Sequence, residues 1–376
     1  FQSIKPYLEK TLDLSRRYAD FFPGYDHPAD PLIDRYDYGM SVATIQPIFA
    51  DLRDFLSAFI KRIAASGRDF RLPEEVKFDP AVQMEVGKNI ASLFGYDFSR
   101  GRLDLTHHPF MIKFSLGDAR ITTRHSQSNL TGIFGTMHES GHAMYEQGID
   151  RSYERTFLAD GTSSAVHESQ SRSWENIVGR SRHFWTGYYP NLQDAFPQAL
   201  GNVSMETFYR SINRVQPSLI RVDADEVTYA LHVIIRFELE MALLEGSLSI
   251  SELPEAWNAK YAEYLGLTPP NDQDGVMQDV HWYTDYIGGM FQGYALGNVL
   301  ASQFYAEALK SHPDIPSQIE VGQFDTLRGW LTENIYQHGS KYTTMELVNR
   351  LTSGGIDTTP YKEDLTGNFE DIYDLS

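Results

Sequence analysis

The chain has 376 residues, contains no cysteine and carries a formal net charge of −19. The acidic balance argues against a nucleic-acid binder, which needs basic side chains to neutralise phosphates. It argues equally against a protein that binds an anionic membrane surface. No apolar run approaches the roughly twenty residues of a transmembrane helix. Without cysteine, any metal site must use histidine and carboxylate ligands. This composition suits a reducing compartment, so we expect a cytoplasmic protein.

The first part of the chain predicts a helical scaffold. Between residues 45 and 66, apolar side chains recur at three- and four-residue steps, which is the period of an amphipathic helix. A second helix is expected over residues 81–97. Nothing in this part carries a pattern typical of catalysis, so we interpret it as scaffold.

After Leu103 the pattern favours strands. Residues 111–116 and 119–124 are β-prone runs on either side of a Gly-Asp pair, which predicts a hairpin. Alternation in the second run places Asp118, Arg120 and Thr122 on one face. That face is either a solvent-exposed sheet surface or the lining of a cleft, whose edge could accept an extended peptide.

The segment His138-Glu139-Ser140-Gly141-His142 has the H-E-x-x-H pattern within a predicted buried helix. Positions i and i+4 lie on one helix face, so His138 and His142 can bind one metal ion together. Glu139 is then close enough to accept a proton from a water activated by that ion. Burying two histidines and a glutamate is costly, and metal binding explains that cost.

Such a site needs a third protein ligand. The downstream histidine of the longer pattern H-E-x-x-H-x-x-G-x-x-H is missing, because Tyr145 and Gly148 occupy its diagnostic positions. The alternative is a glutamate on the next helix. Glu168 and Glu175 both qualify, since they are one heptad apart and on similar faces. Spacing favours Glu168, and a surface salt bridge is the competing interpretation of either residue.

Arg221 precedes a long apolar helix, and Asp223 with Glu226 resembles a helix N-cap and its reciprocal partner. Backbone N–H groups at a helix N-terminus favour anions, and an arginine placed there can bind a carboxylate. The competing interpretation is an ordinary ion pair between Arg221 and Asp223 or Asp225.

Residues 275–298 combine charged, aromatic and glycine residues. If this segment is helical, Gln278 shares a face with His281 or Trp282. His281 is either a satisfied core histidine or a donor to a developing oxyanion. The glycines before Tyr294 permit close approach of the backbone to a ligand. The rest of the chain predicts amphipathic helices, one of which begins with a capping box at Thr343 and Glu346.

Five segments in this order resemble the Taq-type metallocarboxypeptidases, also called the thermostable carboxypeptidase 1 family. They are Asp118-Ala-Arg-Ile-Thr122, His138-Glu-Ser-Gly-His142, His167-Glu-Ser-Gln170, Ile220-Arg-Val-Asp-Ala-Asp225 and Gly275-Val-Met-Gln-Asp-Val-His-Trp282. The resemblance covers most of the chain. Family members usually extend further at the N-terminal side, and this chain opens at Phe1 without a basic and apolar leader. We therefore expect residues 1–376 to form a single catalytic metallopeptidase domain that lacks the N-terminal portion of the family's fold.

The resemblance implies a mainly α, two-lobed zincin-type body with a deep active-site cleft and a small β-hairpin or sheet beside it. It also implies a homodimer that removes C-terminal residues from peptides with a free carboxylate, with broad preference except for proline. The implied metal ligands are His138, His142 and Glu168, and Glu139 is the implied general base. The implied substrate-binding residues are Arg221, Arg120 and Gln278.

These residues predict metal-assisted peptide hydrolysis, with one divalent ion per chain. Zinc suits two histidines and a carboxylate, and cobalt or manganese would fit similar ligands. His281 or Tyr294 would stabilise the oxyanion. The alternatives are an oligopeptidase or aminopeptidase with the same chemistry, or a catalytically impaired peptide-binding protein. One departure bears on specificity, because Met290 and Gln292 replace a tyrosine and a proline that are common in the family.

Overall fold

A computed structural model describes residues 1–73, 76–352 and 354–375. It confirms the mainly α prediction. The α-helices in chain order are Lys5–Ala19 (α1), Asp30–Ile33 (α2), Val42–Ala65 (α3), Pro80–Phe94 (α4), Thr131–Gly148 (α5), Ser164–Arg172 (α6), Arg182–Ala195 (α7), Pro197–Leu200 (α8), Met205–Ile212 (α9), Glu226–Glu245 (α10), Leu253–Leu265 (α11), Gln292–Ser311 (α12), Ile315–Glu320 (α13), Asp325–Asn334 (α14), Thr344–Leu351 (α15) and Thr359–Tyr373 (α16). The strands are Leu103–Leu105 (β1), Met111–Ser115 (β2) and Asp118–Thr123 (β3).

The chain folds into two compact units. The first unit comprises Phe1–Arg68, Val215–Leu296 and Lys362–Ser376, and the second comprises Asp69–Arg214 and Gly297–Tyr361. This division does not test the expectation of a single catalytic domain over residues 1–376, which stays a prediction. The predicted deep cleft also stays a prediction. Among the described residues, no helix is both long enough and apolar enough to cross a membrane.

Helix α10 is the central element of the first unit. Most of its side chains are buried, and it packs against α1, α3 and α11. Its N-cap is Asp225, whose carboxylate accepts hydrogen bonds from the backbone of Val227 and Thr228. The predicted cap at Asp223 is therefore wrong, because Asp223 lies in a separate 3₁₀ turn, Arg221–Asp223. Arg221 still precedes the helix.

The segment before α12 is not the continuous helix considered from the sequence. A 3₁₀ turn spans Val280–Tyr283, and α12 begins only at Gln292. Gly289 has a φ of 90°, and a β-carbon there would lie 2.3 Å from the carbonyl oxygen of Leu32. Only glycine satisfies both conditions, so this glycine ends any helix that the preceding residues begin.

Helix α5 is the central element of the second unit. It packs against α4, α6 and β3, and most of its residues are buried. A β-carbon on Gly141 would lie 2.5 Å from the carbonyl oxygen of Gln170, so α5 and α6 approach each other at backbone distance. This close contact brings the H-E-x-x-H residues of α5 next to the carboxylates that follow on α6.

The sheet also belongs to the second unit, with the strand order β1-β3-β2. The β2–β3 pair is antiparallel and confirms the predicted hairpin, whereas the parallel pairing of β1 with β3 was not predicted. In β3, Ala119, Ile121 and Thr123 are buried, and the alternate residues are partly exposed as predicted. Elsewhere in this unit, Thr343 and Glu346 form the predicted capping box of α15.

Candidate active site

Three potential metal ligands lie together in the second unit. His138 and His142 project from one face of α5, and Glu168 projects from α6. The Nε2 atoms of His138 and His142 lie 3.7 Å and 3.4 Å from Oε2 of Glu168. One ligand atom from each residue lies within 4.8 Å of the other two.

These distances suit a divalent metal. Ligand atoms around a tetrahedral ion with bonds of about 2.1 Å lie about 3.4 Å apart. Two imidazole nitrogens and one carboxylate oxygen form a donor set typical of catalytic zinc and of related first-row metals. The two histidine side chains keep 18% and 16% of their surface exposed, so solvent reaches the ligands. Three protein ligands would leave one position of a tetrahedral ion open for water.

The orientation of His138 is fixed by Glu175. Oε2 of Glu175 lies 2.9 Å from Nδ1 of His138, and this contact leaves Nε2 directed towards Glu168. The Glu175 carboxylate reaches His138 from a π-helical turn, Ser173–Val178, that directly follows α6. A carboxylate acceptor on the second nitrogen is the usual partner of a metal-binding histidine.

Arg172 joins the two carboxylates. Its Nε donates to Oε1 of Glu168 at 2.7 Å, and its Nη1 donates to Oε2 of Glu175 at 3.1 Å. Burial alone would raise the pKa of each carboxyl, but the guanidinium and the nearby histidine lower the pKa of Glu175 to about 2. The same groups hold the pKa of Glu168 well below its usual range. Both glutamates are therefore ionised, as a metal ligand and its orienting acceptor must be.

His142 has a different partner. Its Nδ1 lies 2.6 Å from Nδ1 of His167, and Nε2 of His167 lies 2.9 Å from Oε1 of Glu146. Burial lowers the pKa of His142 to about 4. The ring is therefore neutral at physiological pH, which is the form that binds metals.

Glu139 differs from the other carboxylates of this region. Glu139 is 6% exposed, and burial raises the pKa of its carboxyl to about 7. Within the described residues, no hydrogen bond reaches this carboxylate, in contrast to Glu168 and Glu175. A carboxyl with a raised pKa and free acceptor oxygens is chemically suited to take up and release a proton near neutral pH.

Arg221 lies in a buried cluster of the first unit. Its Nε donates to Oδ2 of Asp279 at 2.6 Å, and Arg236 donates to the same oxygen at 2.8 Å. The two guanidinium groups and His281 oppose the effect of burial and hold the pKa of Asp279 well below its usual range. The competing sequence interpretation was an ion pair with Asp223 or Asp225, but the partner of Arg221 is Asp279, 58 residues away.

His281 and Tyr294 lie beside this cluster. Nδ1 of His281 contacts Oδ1 of Asp279, and its Nε2 lies 3.3 Å from the hydroxyl of Tyr294. The side chain of His281 is 19% exposed, so it is not fully enclosed in the core. The structure therefore brings together two of the predicted catalytic residues, and their role in catalysis stays a prediction.

The amide of Gln278 is fully occupied. Its Oε1 accepts from the backbone N–H of Arg221 and from Nη2 of Arg236, both at 3.0 Å. Its Nε2 donates to the carbonyl oxygens of Leu219 and Asp274 at 2.8 and 2.9 Å. These contacts position Arg221 and Arg236, whereas a direct contact between Gln278 and substrate stays a prediction.

Arg120 lies on the partly exposed face of β3. Its guanidinium donates to both oxygens of Asp118 at 2.8 and 2.7 Å and lies 4.9 Å from the ring centre of Phe114. The side chain is 43% exposed. A role in binding a terminal carboxylate stays a prediction for this residue.

Sequence reasoning missed the roles of His167, Glu146 and Arg172. His167 directly precedes Glu168 in the His-Glu-Ser-Gln segment. Its position next to a predicted metal ligand was the available signal of a role at the site. Glu146 reaches the site through His167, and no spacing in the sequence indicates that contact. Nothing in the sequence marked Arg172, because its role depends on the positions of two carboxylates on successive helical turns.

Comparisons with known proteins assign the chain to a metallopeptidase family. Residues 1–369 match the family described as carboxypeptidase Taq (M32) metallopeptidase. Carboxypeptidase 1 of Bacillus subtilis (strain 168) is 38% identical over 378 residues, which are 99% of this chain and 75% of the relative. Thermostable carboxypeptidase 1 of Thermus thermophilus is 40% identical over 386 residues, with the same two coverages.

Solved structures give the same assignment. The M32 carboxypeptidase from Deinococcus radiodurans R1 superposes with a TM-score of 0.98 at 46% identity, covering 100% of this chain and 76% of that one. Metallocarboxypeptidase 1 of Trypanosoma cruzi gives a TM-score of 0.92 at 32% identity, covering 98% and 77%. The chain thus spans about three quarters of these relatives, and it belongs to the carboxypeptidase Taq (M32) metallopeptidase family.

Proposed function

We propose that this metallocarboxypeptidase removes residues from the C-terminus of peptides with broad side-chain preference. The observation that carries the proposal is the arrangement of two histidines and a buried glutamate next to a second, unbonded carboxylate. His138, His142 and Glu168 would hold one divalent ion, and Glu139 would act on the proton of the attacking water. Zinc is the proposed metal because it prefers this donor set, with cobalt or manganese as alternatives.

The bound ion would supply Lewis acidity, which activates water and polarises the peptide carbonyl. Glu139 would take the proton as the water attacks, and would later deliver a proton to the leaving amine. The raised pKa of its carboxyl favours both steps near neutral pH. Glu175 and His167 would keep the two histidine rings directed at the ion throughout.

Arg221 would bind the free C-terminal carboxylate of the substrate. Its Nε is committed to Asp279, but Nη1 makes a single described hydrogen bond, of 3.3 Å, to Tyr229. That nitrogen therefore retains a donor for a carboxylate. Gln278 would act as a positioning residue for Arg221, and Arg120 would be a second, weaker candidate for the same carboxylate.

Tyr294 and His281 would stabilise the oxyanion. A carboxylate accepts hydrogen bonds only, so Nδ1 of His281 donates to Asp279 and Nε2 is the nitrogen that faces Tyr294. The phenol of Tyr294 can rotate its proton towards a developing negative charge. His281 would hold that phenol in place, or donate through Nε2 when it is protonated.

We also propose a homodimer and a cytoplasmic location. The first rests on the resemblance carried by the five sequence segments, and the second on a cysteine-free composition suited to a reducing compartment. Sedimentation analysis of the purified chain would measure its oligomeric state directly, and a main species with the mass of one chain would contradict the dimer.

Product mapping on one defined peptide tests the proposed activity. We expect sequential loss of single residues from the C-terminus, and little turnover of the same peptide with an amidated C-terminus. Internal cleavage would instead indicate an oligopeptidase, and loss of N-terminal residues an aminopeptidase. Metal binding without turnover of either peptide would indicate a catalytically impaired peptide-binding protein.

A further inference from the structure

A line of polar side chains connects His142 to the sheet of the second unit. Beyond His167 and Glu146, Oε2 of Glu146 lies 2.7 Å from Nζ of Lys113, a residue of β2. Lys113 also donates to the carbonyl oxygen of Ala159 and to the carboxylate of Asp160. All three protons of its ammonium group are therefore used, and the side chain is 15% exposed.

The hydrogen bonds along this line run in one direction when Glu146 is ionised and His167 is neutral. A carboxylate accepts and does not donate, so Nε2 of His167 must donate to Glu146. In a neutral ring the other nitrogen is then an acceptor, so Nδ1 of His167 receives the proton of Nδ1 of His142. His142 consequently has its lone pair on Nε2, the nitrogen that lies 3.4 Å from Glu168.

The ionised state of Glu146 depends on its neighbours. Burial of this carboxyl would raise its pKa, but the hydrogen bond with His167 and the ammonium of Lys113 lower it to about 2. The backbone N–H of Gly161 also donates to its Oε1 at 3.1 Å. Lys113 is thus one of three donors that hold the Glu146 carboxylate in place, beside His167 and the backbone N–H of Gly161.

The surrounding backbone holds His167 in this arrangement. A β-carbon on Gly161 would lie 2.6 Å from Cδ2 of His167, so the chain lies directly against the imidazole ring. The backbone N–H of Thr162 donates to the hydroxyl of Tyr145, whose ring centre is 5.1 Å from that of His167. These contacts leave little room for the ring to turn away from His142.

We propose that Lys113 is a positioning residue for the metal centre, which it reaches through Glu146 and His167 without touching a ligand. It fixes the Glu146 carboxylate, which accepts from Nε2 of His167 and so holds the His167 ring against Nδ1 of His142. This inference rests on the proposed metal site. His138 is oriented by a shorter line, because its Nδ1 contacts the carboxylate of Glu175 directly and that carboxylate accepts from Arg172.

The test is the metal affinity of Lys113→Met, measured by competition with a coloured chelator for Zn²⁺. We expect affinity to fall about 10- to 100-fold, the usual cost of losing a group that orients a metal-binding histidine. Lys113→Arg retains the positive charge and should recover most of the affinity. Lys88→Met is the matched control, because Lys88 forms an exposed ion pair with Glu85 in the same unit. It should bind Zn²⁺ like the parent chain.

A second measurement separates positioning from misfolding. In metal-free Lys113→Met, ¹⁵N NMR of labelled histidine should show shifted ring-nitrogen signals, whereas metal-free Lys113→Arg and Lys88→Met should keep the parent signals. Unchanged affinity and unchanged ring signals in Lys113→Met would overturn the inference while leaving the proposed function intact. Equal Zn²⁺ affinity of the parent chain and His142→Ala would instead overturn the metal site itself.

Discussion

Gly297 and Glu168 lie so close that a β-carbon at position 297 would be 2.4 Å from Cγ and 2.6 Å from Cβ of the glutamate. Cβ is attached to the α6 backbone and cannot move away by side-chain rotation alone. The absence of a side chain on this residue of α12 therefore determines where the Glu168 carboxylate lies.

Gly297→Ala should consequently reduce metal affinity, with some loss of stability in the metal-free chain because the backbone near Glu168 must shift. The added methyl group would displace Glu168 from the two histidines, and small displacements of a ligand are costly. Chelator competition would measure the loss, which we expect to be at least about 10-fold. Gly329→Ala is the control, because a β-carbon on Gly329 would meet nothing within 4 Å. An equal affinity of both variants would contradict this role of Gly297.

Glu139→Gln should abolish peptide hydrolysis and leave metal binding nearly unchanged. Glutamine has almost the same shape but cannot accept the proton, so we expect a rate loss of about 10²- to 10⁴-fold. The measurements are peptide turnover and metal content of the same preparation. Glu85→Gln, which changes an exposed glutamate of the same unit, is the matched control. Appreciable turnover by Glu139→Gln would remove the general-base assignment.

Arg221→Lys should strongly reduce the turnover of peptides with a free C-terminus. The binding and turnover of amidated peptides should change less. Lysine keeps a positive charge near Asp279 but loses the planar fork that grips a carboxylate. Arg236→Lys is the matched control. Arg236 also pairs with Asp279, but its side chain is fully buried and cannot touch a substrate. If both variants lose activity equally on both peptides, Arg221 is structural and does not bind substrate.

The stability of the first unit should carry a pH dependence that comes from Glu240. Burial raises the pKa of this carboxyl from 4.5 to about 8, and its Oε1 accepts a hydrogen bond from Trp282 at 3.0 Å. Between those two pH values the folded state binds one proton more than the unfolded state. The free energy of unfolding contributed by this group must therefore fall as the pH rises from about 4.5 to 8.

Glu240→Gln removes the titrating group and should flatten that dependence. Urea unfolding at pH 5 and at pH 8 would measure it. We expect the parent chain to lose more stability than Glu240→Gln between the two conditions, so that the variant gains relative to the parent at pH 8. Parallel losses in the two proteins would show that Glu240 does not titrate as its burial predicts.

The sequence predicted features whose cause is local. The H-E-x-x-H helix, the β2–β3 hairpin and the capping box at Thr343 depend on periodicity and turn chemistry within a few residues. The close approach of α5 and α6, which brings Glu168 to the two histidines, was anticipated only as a requirement for a third ligand.

The features that sequence reasoning missed depend on distant contacts. Asp279 is the partner of Arg221 across 58 residues, and Lys113 reaches Glu146 across 33. No period or spacing encodes such pairs, because they form only when separate elements pack. The wrong cap at Asp223 has another cause, since two acidic residues lay two positions apart and only backbone geometry distinguishes Asp225 as the cap.

The π-helical turn Ser173–Val178 bears on how relatives of this protein can be recognised. A π turn contains more residues than an α turn, and such turns behave as single-residue insertions into a helix. Removing one residue there would restore regular winding but would rotate Glu175 away from His138. A related chain without the insertion would have to place its orienting carboxylate at a different offset from Glu168. A sequence pattern that fixes the number of residues between Glu168 and the orienting carboxylate would then miss an equivalent metal site, although its three metal ligands were unchanged.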